Sequence, residues 1–310
     1  MKHNDDYIVT VAIPTYNHGL YIEEGLKSVL AQKTSFPYKI LIFDDGSFDD
    51  TCEIVRSYVK TYPNIELRAG AHVGMVPNFI RLLRACQSRY IALCDGDDFW
   101  IDDYKLQKQY DFMESHPDFS ACGTQSWVLD AETGKKIIAK TQVWDTGDTT
   151  EILAHRDNDN IQMSPFHTST YFFRNGLIKE YPTWWTVGDK WMNGDVMMTD
   201  FPLYMLISRY GKAKFINDIT AVYRHRVDGG SSIGFSPERA TKRRIWIYEN
   251  INKEFKYKYK QIINPIIGEY YWGLSKYLYK NKSKVEAIFA ILKVVYYNPT
   301  ILVSYFMSKR

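Results

Sequence analysis

The first hundred residues alternate between short apolar runs and segments of helical period, and that alternation limits the chain's folds more than any other feature. The apolar runs are Tyr7–Ile13, Lys39–Phe43 and Tyr90–Cys94, and Ile65–Ala69 reads as a further short strand. Between them, Ile22, Leu26, Val29 and Leu30 recur at helical spacing, as do Ile54, Val55, Tyr58 and Val59. Asn78–Ala85 reads as a further helix, and Asp49 or Asp50 can cap the one before it. Intervals this short leave room only for βα crossovers, so a parallel sheet covered by helices on both faces is expected.

Polar clusters close three of the four strands. Pro14-Thr15-Tyr16-Asn17 follows the first, Asp44-Asp45-Gly46-Ser47 the second, and Asp95-Gly96-Asp97-Asp98 the fourth. The carboxyl edge of an open α/β sheet is where ligands bind. Three carboxylates within four positions repel one another unless a cation or donors neutralise them. Taken alone, the cluster suits an Asp-rich turn as well as a metal site. The first loop offers a tyrosine ring for stacking. Neither GxGxxG nor GxxxxGK[ST] occurs, which argues against dinucleotide and P-loop sites.

Charge divides the chain unevenly. Ser236–Arg310 holds 15 Lys/Arg against 5 Asp/Glu, a net of +10; subtraction from the totals of 39 and 36 leaves 24 and 31, a net of −7, before it. No nucleic-acid motif accompanies the basic segment. Helical, aromatic and basic, it suits either docking on an anionic membrane or packing on protein. Cys52, Cys86, Cys94 and Cys122 form no CxxC pair and read as reduced thiols. The N-terminus lacks the apolar core of a signal peptide, and the uncharged run near the C-terminus, Val294–Ser308, is shorter than a bilayer span.

Taken together, Val9–Asn17, Ile42–Thr51 and Tyr90–Trp100, with Lys105–Gln109 and Ala221–Arg224 further on, resemble the inverting family 2 glycosyltransferases of the GT-A fold, the kind found in bacterial glycan biosynthesis. The likeness runs from about Ile8 to Ser232. It implies a GT-A type, Rossmann-like catalytic domain over residues 1–235, with a mostly parallel central sheet flanked by helices. The nucleotide part would cover about 1–128 and the acceptor part about 129–235, followed by a helical extension over 236–310.

The same resemblance implies a sugar transferred from a nucleotide-diphosphate donor, UDP-linked, to a glycan or lipid-linked acceptor of the cell envelope. Mn²⁺ or Mg²⁺ would lie on the diphosphate. Tyr16, with Pro14, Thr15 and Asn17 around it, would lie against the base, and Asp45 would accept a hydrogen bond from it. Asp95 would reach the ribose or the metal's water shell, while Asp97, with Asp98 close by, would hold the ion. Such ions bind phosphates through only one or two protein carboxylates.

Inverting transfer needs a base for the acceptor hydroxyl. Asp200, in a segment resembling the family's catalytic helix start, is the expected base, with helix capping as its alternative and Asp195 as runner-up. The motif Tyr223-Arg-His-Arg226 departs from the family pattern, where a histidine stands at position 226. Arg226 is therefore expected on the diphosphate, with His225 as an optional metal ligand. Phe215–His225 reads as two short strands or a hairpin. His167, Trp184, Trp185 and Trp191 are the candidates for the acceptor side, although tryptophans also serve as core. A sugar-phosphate nucleotidyltransferase and a non-catalytic sugar-binding protein are the alternatives. The expected location is cytoplasmic, including the cytoplasmic face of the inner membrane.

Overall fold

The computed structural model describes residues 6–139, 146–154, 156–157, 160–161, 166–187, 198–226 and 236–307. Asp195, Trp191, Trp144 and the Gly229–Ser232 segment lie outside the described residues. The chain divides into two compact units, Met1–Val227 and Asp228–Arg310.

The first unit opens with the expected alternation: β1 (Val9–Thr15), α1 (Ile22–Leu30), β2 (Tyr38–Asp44), α2 (Thr51–Thr61), β3 (Ile65–Ala69), α3 (Met75–Ala85) and β4 (Tyr90–Leu93). Then come β5 (Phe99–Trp100), α4 (Lys105–Ser115), β6 (Phe119–Asp130), β7 (Lys136–Ile138), β8 (Thr146–Gly147) and α5 (Thr149–Ala154). The unit continues through β9 (Arg156–Asp157), β10 (Asn160–Ile161), β11 (Phe172–Arg174), α6 (Thr183–Thr186), α7 (Asp200–Ile207) and β12 (Lys212–His225). α3 begins at Met75, three residues ahead of the sequence expectation, because Pro77 sits in the first turn, where its missing N–H costs nothing.

The main sheet runs β3-β2-β1-β4-β11-β6-β12-β5, with β7 on β6 and β8 on β12. β3, β2, β1 and β4 are mutually parallel. Beyond β4 the sheet turns mixed, since β11 is antiparallel to both β4 and β6 while β6 and β12 run parallel. The chain adds strands on one side of β1, then crosses to add β4 on the other. The order therefore reverses between β1 and β4, and their carboxyl ends diverge into the crevice where such sheets hold ligands.

Val9, Val11 and Ile13 join Ile22, Leu26 and Val29 of α1 in the core, and the intervening Thr10 and Ala12 are buried as well. With both sheet faces covered, the strands read as continuous apolar runs in the sequence.

β12 corrects one expectation. The hairpin anticipated over Phe215–His225 is a single 14-residue strand whose register against β6 shifts between Ile216 and Ile219 and again before Ala221. The bulge contains Asn217 and Asp218, residues that favour turns, and so imitates a turn in the sequence.

The second unit consists of α8 (Pro237–Glu254), α9 (Lys260–Asn281), α10 (Lys284–Tyr297) and α11 (Thr300–Met307). Ser236 caps α8 by accepting from the Arg239 amide, with Pro237 at the first helical position. No single described helix is long and apolar enough to cross a membrane.

Candidate active site

At the end of β4 the backbone folds back on itself, with the Asp98 amide donating to the Asp95 carbonyl. Gly96 is needed there: a Cβ would come within 2.7 Å of both His18 Nδ1 and Thr15 Oγ1. The turn thus locks against the loop after β1, and the Gly96 amide donates to the Pro14 carbonyl at 3.1 Å.

The three acids part ways. Asp98 is fully buried, and its carboxylate accepts from Ser169 Oγ at 2.5 Å and from the Arg224 amide at 2.8 Å. Burial, then the charges of Asp97 and Asp95, push its carboxyl well above the usual range. The expectation that Asp98 helps hold a metal is therefore corrected, because the fold turns it inward to fasten β12 and the 168–170 turn. Asp95 lies half-buried beside Thr168. Burial first, then Asp97 and Asp200, push it up to about 8, with the Thr168 hydroxyl pulling the other way. Asp97 is partly exposed like Asp95, and its carboxylate is the one that meets basic side chains.

Asp97 faces two basic side chains. Arg226 Nε lies 3.2 Å and His18 Nε2 3.7 Å from Asp97 Oδ2. Burial holds the His18 imidazole below its usual pKa, against the opposing pull of Asp97. Its Nδ1 is buried with no hydrogen-bond partner. Arg224 donates to the Asp97 carbonyl and to Glu24, both at 2.6 Å, and the two guanidiniums sit 4.7 and 5.0 Å from the Tyr21 ring centre. Alternation along β12 explains the arrangement: Arg224 and Arg226 point inward while His225 points out to solvent. A metal role for His225 is corrected on that ground.

Asp200 opens α7, where its Oδ1 accepts from the Phe201 amide at 2.8 Å. Its charge reaches both Asp95 and the buried Tyr204 one turn on. The fold thus brings Asp200 to the same edge as Asp95 and Asp97 from about a hundred residues away in the sequence.

The base-side expectations are redrawn. Tyr16 is exposed and stacks on His72, with ring centres 4.6 Å apart. The Asp45 carboxylate accepts from the Val73 and Gly74 amides at 2.8 and 2.9 Å and meets His72 Nδ1 at 2.9 Å. Asp45 is buried and held by these donors, with Arg81 3.7 Å away, so its oxygens meet protein here rather than the expected base. Asp45 instead builds the turn that carries His72 onto Tyr16. Asp44 accepts from the Gly46 and Ser47 amides, and Gly46 adopts a φ of +79° that favours glycine. Asn17 also serves the loop, as its Oδ1 accepts from the Phe48 amide.

On the expected acceptor side, Trp185 is fully buried, donates from Nε1 to the Met198 carbonyl and lies near Phe79 and Tyr181. It is a core residue, correcting its assignment as a sugar platform. Trp184 is half-buried. His167 bonds through Nδ1 to Ser126 Oγ at 2.6 Å beside the Tyr223 ring, and burial pushes its pKa down to about 4.

The donor set suits only one kind of metal site. Among the described residues, no three His, Cys, Asp or Glu side chains converge on a possible ion. Asp97, with His18 and its unpartnered Nδ1 beside it, fits an ion held mainly by phosphate oxygens rather than a protein cage. His18, Tyr21, Glu24 and Arg224 were missed by sequence reasoning. The only available signal was the period-2 placement of Arg224 and Arg226.

Over residues 10–175 the chain matches the model of glycosyl transferase family 2. A Mycobacterium tuberculosis protein of uncharacterized function is 38% identical over 110 residues, which is 35% of this chain and 32% of that protein. TuaG of Bacillus subtilis, named as a candidate teichuronic acid biosynthesis glycosyltransferase, is also 38% identical over 110 residues, 34% of this chain and 42% of its own length. The matches therefore span well under two thirds of those relatives. Among solved structures, Staphylococcus aureus TarS 1–349 with UDP-GlcNAc superposes with a TM-score of 0.61 at 18% identity, covering 89% of this chain and 74% of that one. A Pyrobaculum calidifontis mannosyltransferase with GDP-Man and Mn²⁺ gives 0.54 at 15% identity, covering 99% and 85%. These likenesses establish the GT-A type α/β fold, and the family match, extending over more than half of the 310 residues, establishes that the chain belongs to glycosyl transferase family 2.

Proposed function

We propose that the protein transfers a sugar, with inversion, from a UDP-linked donor to a glycan or lipid-linked acceptor of the cell envelope. The observation that carries the reading is the convergence of Asp97, Asp95 and Asp200 at the β1/β4 crevice, with Arg226 against Asp97. The names of TuaG, of TarS with UDP-GlcNAc and of the mannosyltransferase with GDP-Man and Mn²⁺ support it.

In this reading Asp200 takes the acceptor hydroxyl's proton as its oxygen bonds to the anomeric carbon. The bond from that carbon to the diphosphate breaks, and the nucleoside diphosphate leaves with the electron pair. Arg226 and His18 face the leaving group, where a guanidinium matches phosphate oxygens. Tyr16, stacked on His72, offers its ring to the base. Asp97 would hold the divalent ion, which when bound supplies positive charge to the leaving diphosphate.

Calorimetric titration of UDP-sugars with and without Mn²⁺, repeated with Asp97→Ala and Asp200→Asn, tests the scheme. Asp97→Ala should abolish the metal's contribution to donor binding, whereas Asp200→Asn should keep donor binding and lose transfer by at least about a hundredfold. Binding that ignores both metal and Asp97→Ala would remove the ion from the scheme. Unchanged turnover in Asp200→Asn would remove that base.

A further inference from the structure

In the second unit, α10 is apolar on two opposite sides. Ala287, Ala290 and Val294 are buried, and α10 packs on α9. Val285, Ile288, Phe289, Leu292, Val295 and Tyr296 occupy the other side, each between 48% and 75% exposed. At 100° per residue they fall within an arc of roughly 120°, centred away from α9. Lys284 borders one edge, while Glu286 and Lys293 border the other.

α11 extends the feature. It follows Pro299 at a bend of 109° to α10, buries none of its residues and carries no charge from Thr300 to Met307. Val303, Phe306 and Met307 are exposed. A helix facing water on one side normally carries polar residues there, and apolar patches of this extent mark contact surfaces.

Charge indicates what meets the surface. Residues 236–310 carry the net of +10, with Lys280, Lys284 and Lys293 exposed around the stripe. A second copy would bring the same charge and be repelled, whereas an anionic bilayer complements it. Tyr296 and Phe306 add the aromatic character found at the headgroup level, and lysine stems can lie along the apolar face with their ammonium groups in water. The bend rules out one straight span, so the pair suits lying in the plane of the interface.

We infer that α10 and α11 form an interfacial anchor that sinks the Val285–Tyr296 stripe and the exposed face of α11 into the headgroup region of an anionic membrane. The anchor is independent of the transfer reading, since neither its residues nor its test involves the donor site.

Co-sedimentation of the full chain with vesicles provides that test. Vesicles containing about 30% phosphatidylglycerol should bind at least about tenfold better than phosphatidylcholine alone, and salt should weaken the binding. The double variant Phe289→Glu, Leu292→Glu should lose at least about tenfold of that affinity with an unchanged urea-unfolding midpoint, since both positions are exposed. Lys284→Gln with Lys293→Gln should retain weak binding but flatten its salt dependence. Wild-type vesicle binding by the glutamate variant would overturn the inference. So would a wild-type dimer in sedimentation equilibrium that this variant dissociates, because the stripe would then be a subunit interface. Failure of the wild type to bind anionic vesicles would overturn it as well.

Discussion

Replacing Asp95 with asparagine should stabilise the protein, increasingly so as the pH rises. Asp95 stands beside Asp97 and within reach of Asp200, and burial and these charges raise its carboxyl from 3.8 to about 8. In the native state it therefore keeps a proton that the unfolded chain releases near pH 4. Native stability is fully present below that point and is lost progressively as the pH climbs to about 8. A shift of about four units at about 1.4 kcal/mol each sets an upper limit of about 6 kcal/mol. Because the side chain keeps partial contact with water, screening reduces this to about 2–3 kcal/mol. Asparagine carries no charge at any pH and can still bond to Thr168. Urea unfolding at a series of pH values from about 5 to 8.5 measures the difference. The two proteins should differ little at the acid end, and the variant should lead by about 2–3 kcal/mol at the alkaline end. Parallel pH profiles, or a variant that is weaker throughout, would refute the reasoning. They would mean that hydrogen bonding, not charge repulsion, governs Asp95.

Asp98→Ala leaves Ser169 Oγ and the Arg224 amide without their acceptor and should cost about 3 kcal/mol in urea unfolding, with Asp98→Asn costing less. Gly123→Ala places a Cβ 2.1 Å from the Phe166 ring and should lower stability by about 1–3 kcal/mol, with Phe166→Leu in the same chain recovering part of the loss. Lys105 is buried against Trp100 and Gln109, and burial lowers its pKa to about 8. Between there and its ordinary value near 10.5 the unfolded chain binds more protons, so wild-type stability should gain on Lys105→Met as the pH rises; a constant gap across that window would refute it.

The elements were legible where the local signal was strong. Strands β1, β2 and β4 fell within a residue or two of their apolar runs, because strands covered on both faces need continuous apolar side chains, whereas β3 at the sheet edge mixes Glu66 and Arg68 with apolar residues. The Asp95–Asp98 cluster was visible for the same reason, as a break from such a run. What could not be read was direction. Asp98 and Asp97 are adjacent, yet one is fully buried under Ser169 and Arg224 while the other meets Arg226. Asp45 shows a similar limit: as an acid closing a strand it promised a free acceptor, but the Val73 and Gly74 amides, brought in by the next crossover, occupy it.

By itself, the sequence determined the strand–helix alternation, the sheet edge carrying the acids, and the family, because these depend on residue types at short spacing. Tertiary structure alone decided that Asp98 turns inward, that Arg226 and His18 meet Asp97, and that α10 exposes a second apolar face. Each of those depends on strands and helices far apart in the chain coming together. A carboxylate's role is set by which donors reach it, and those donors arrive from elsewhere in the fold.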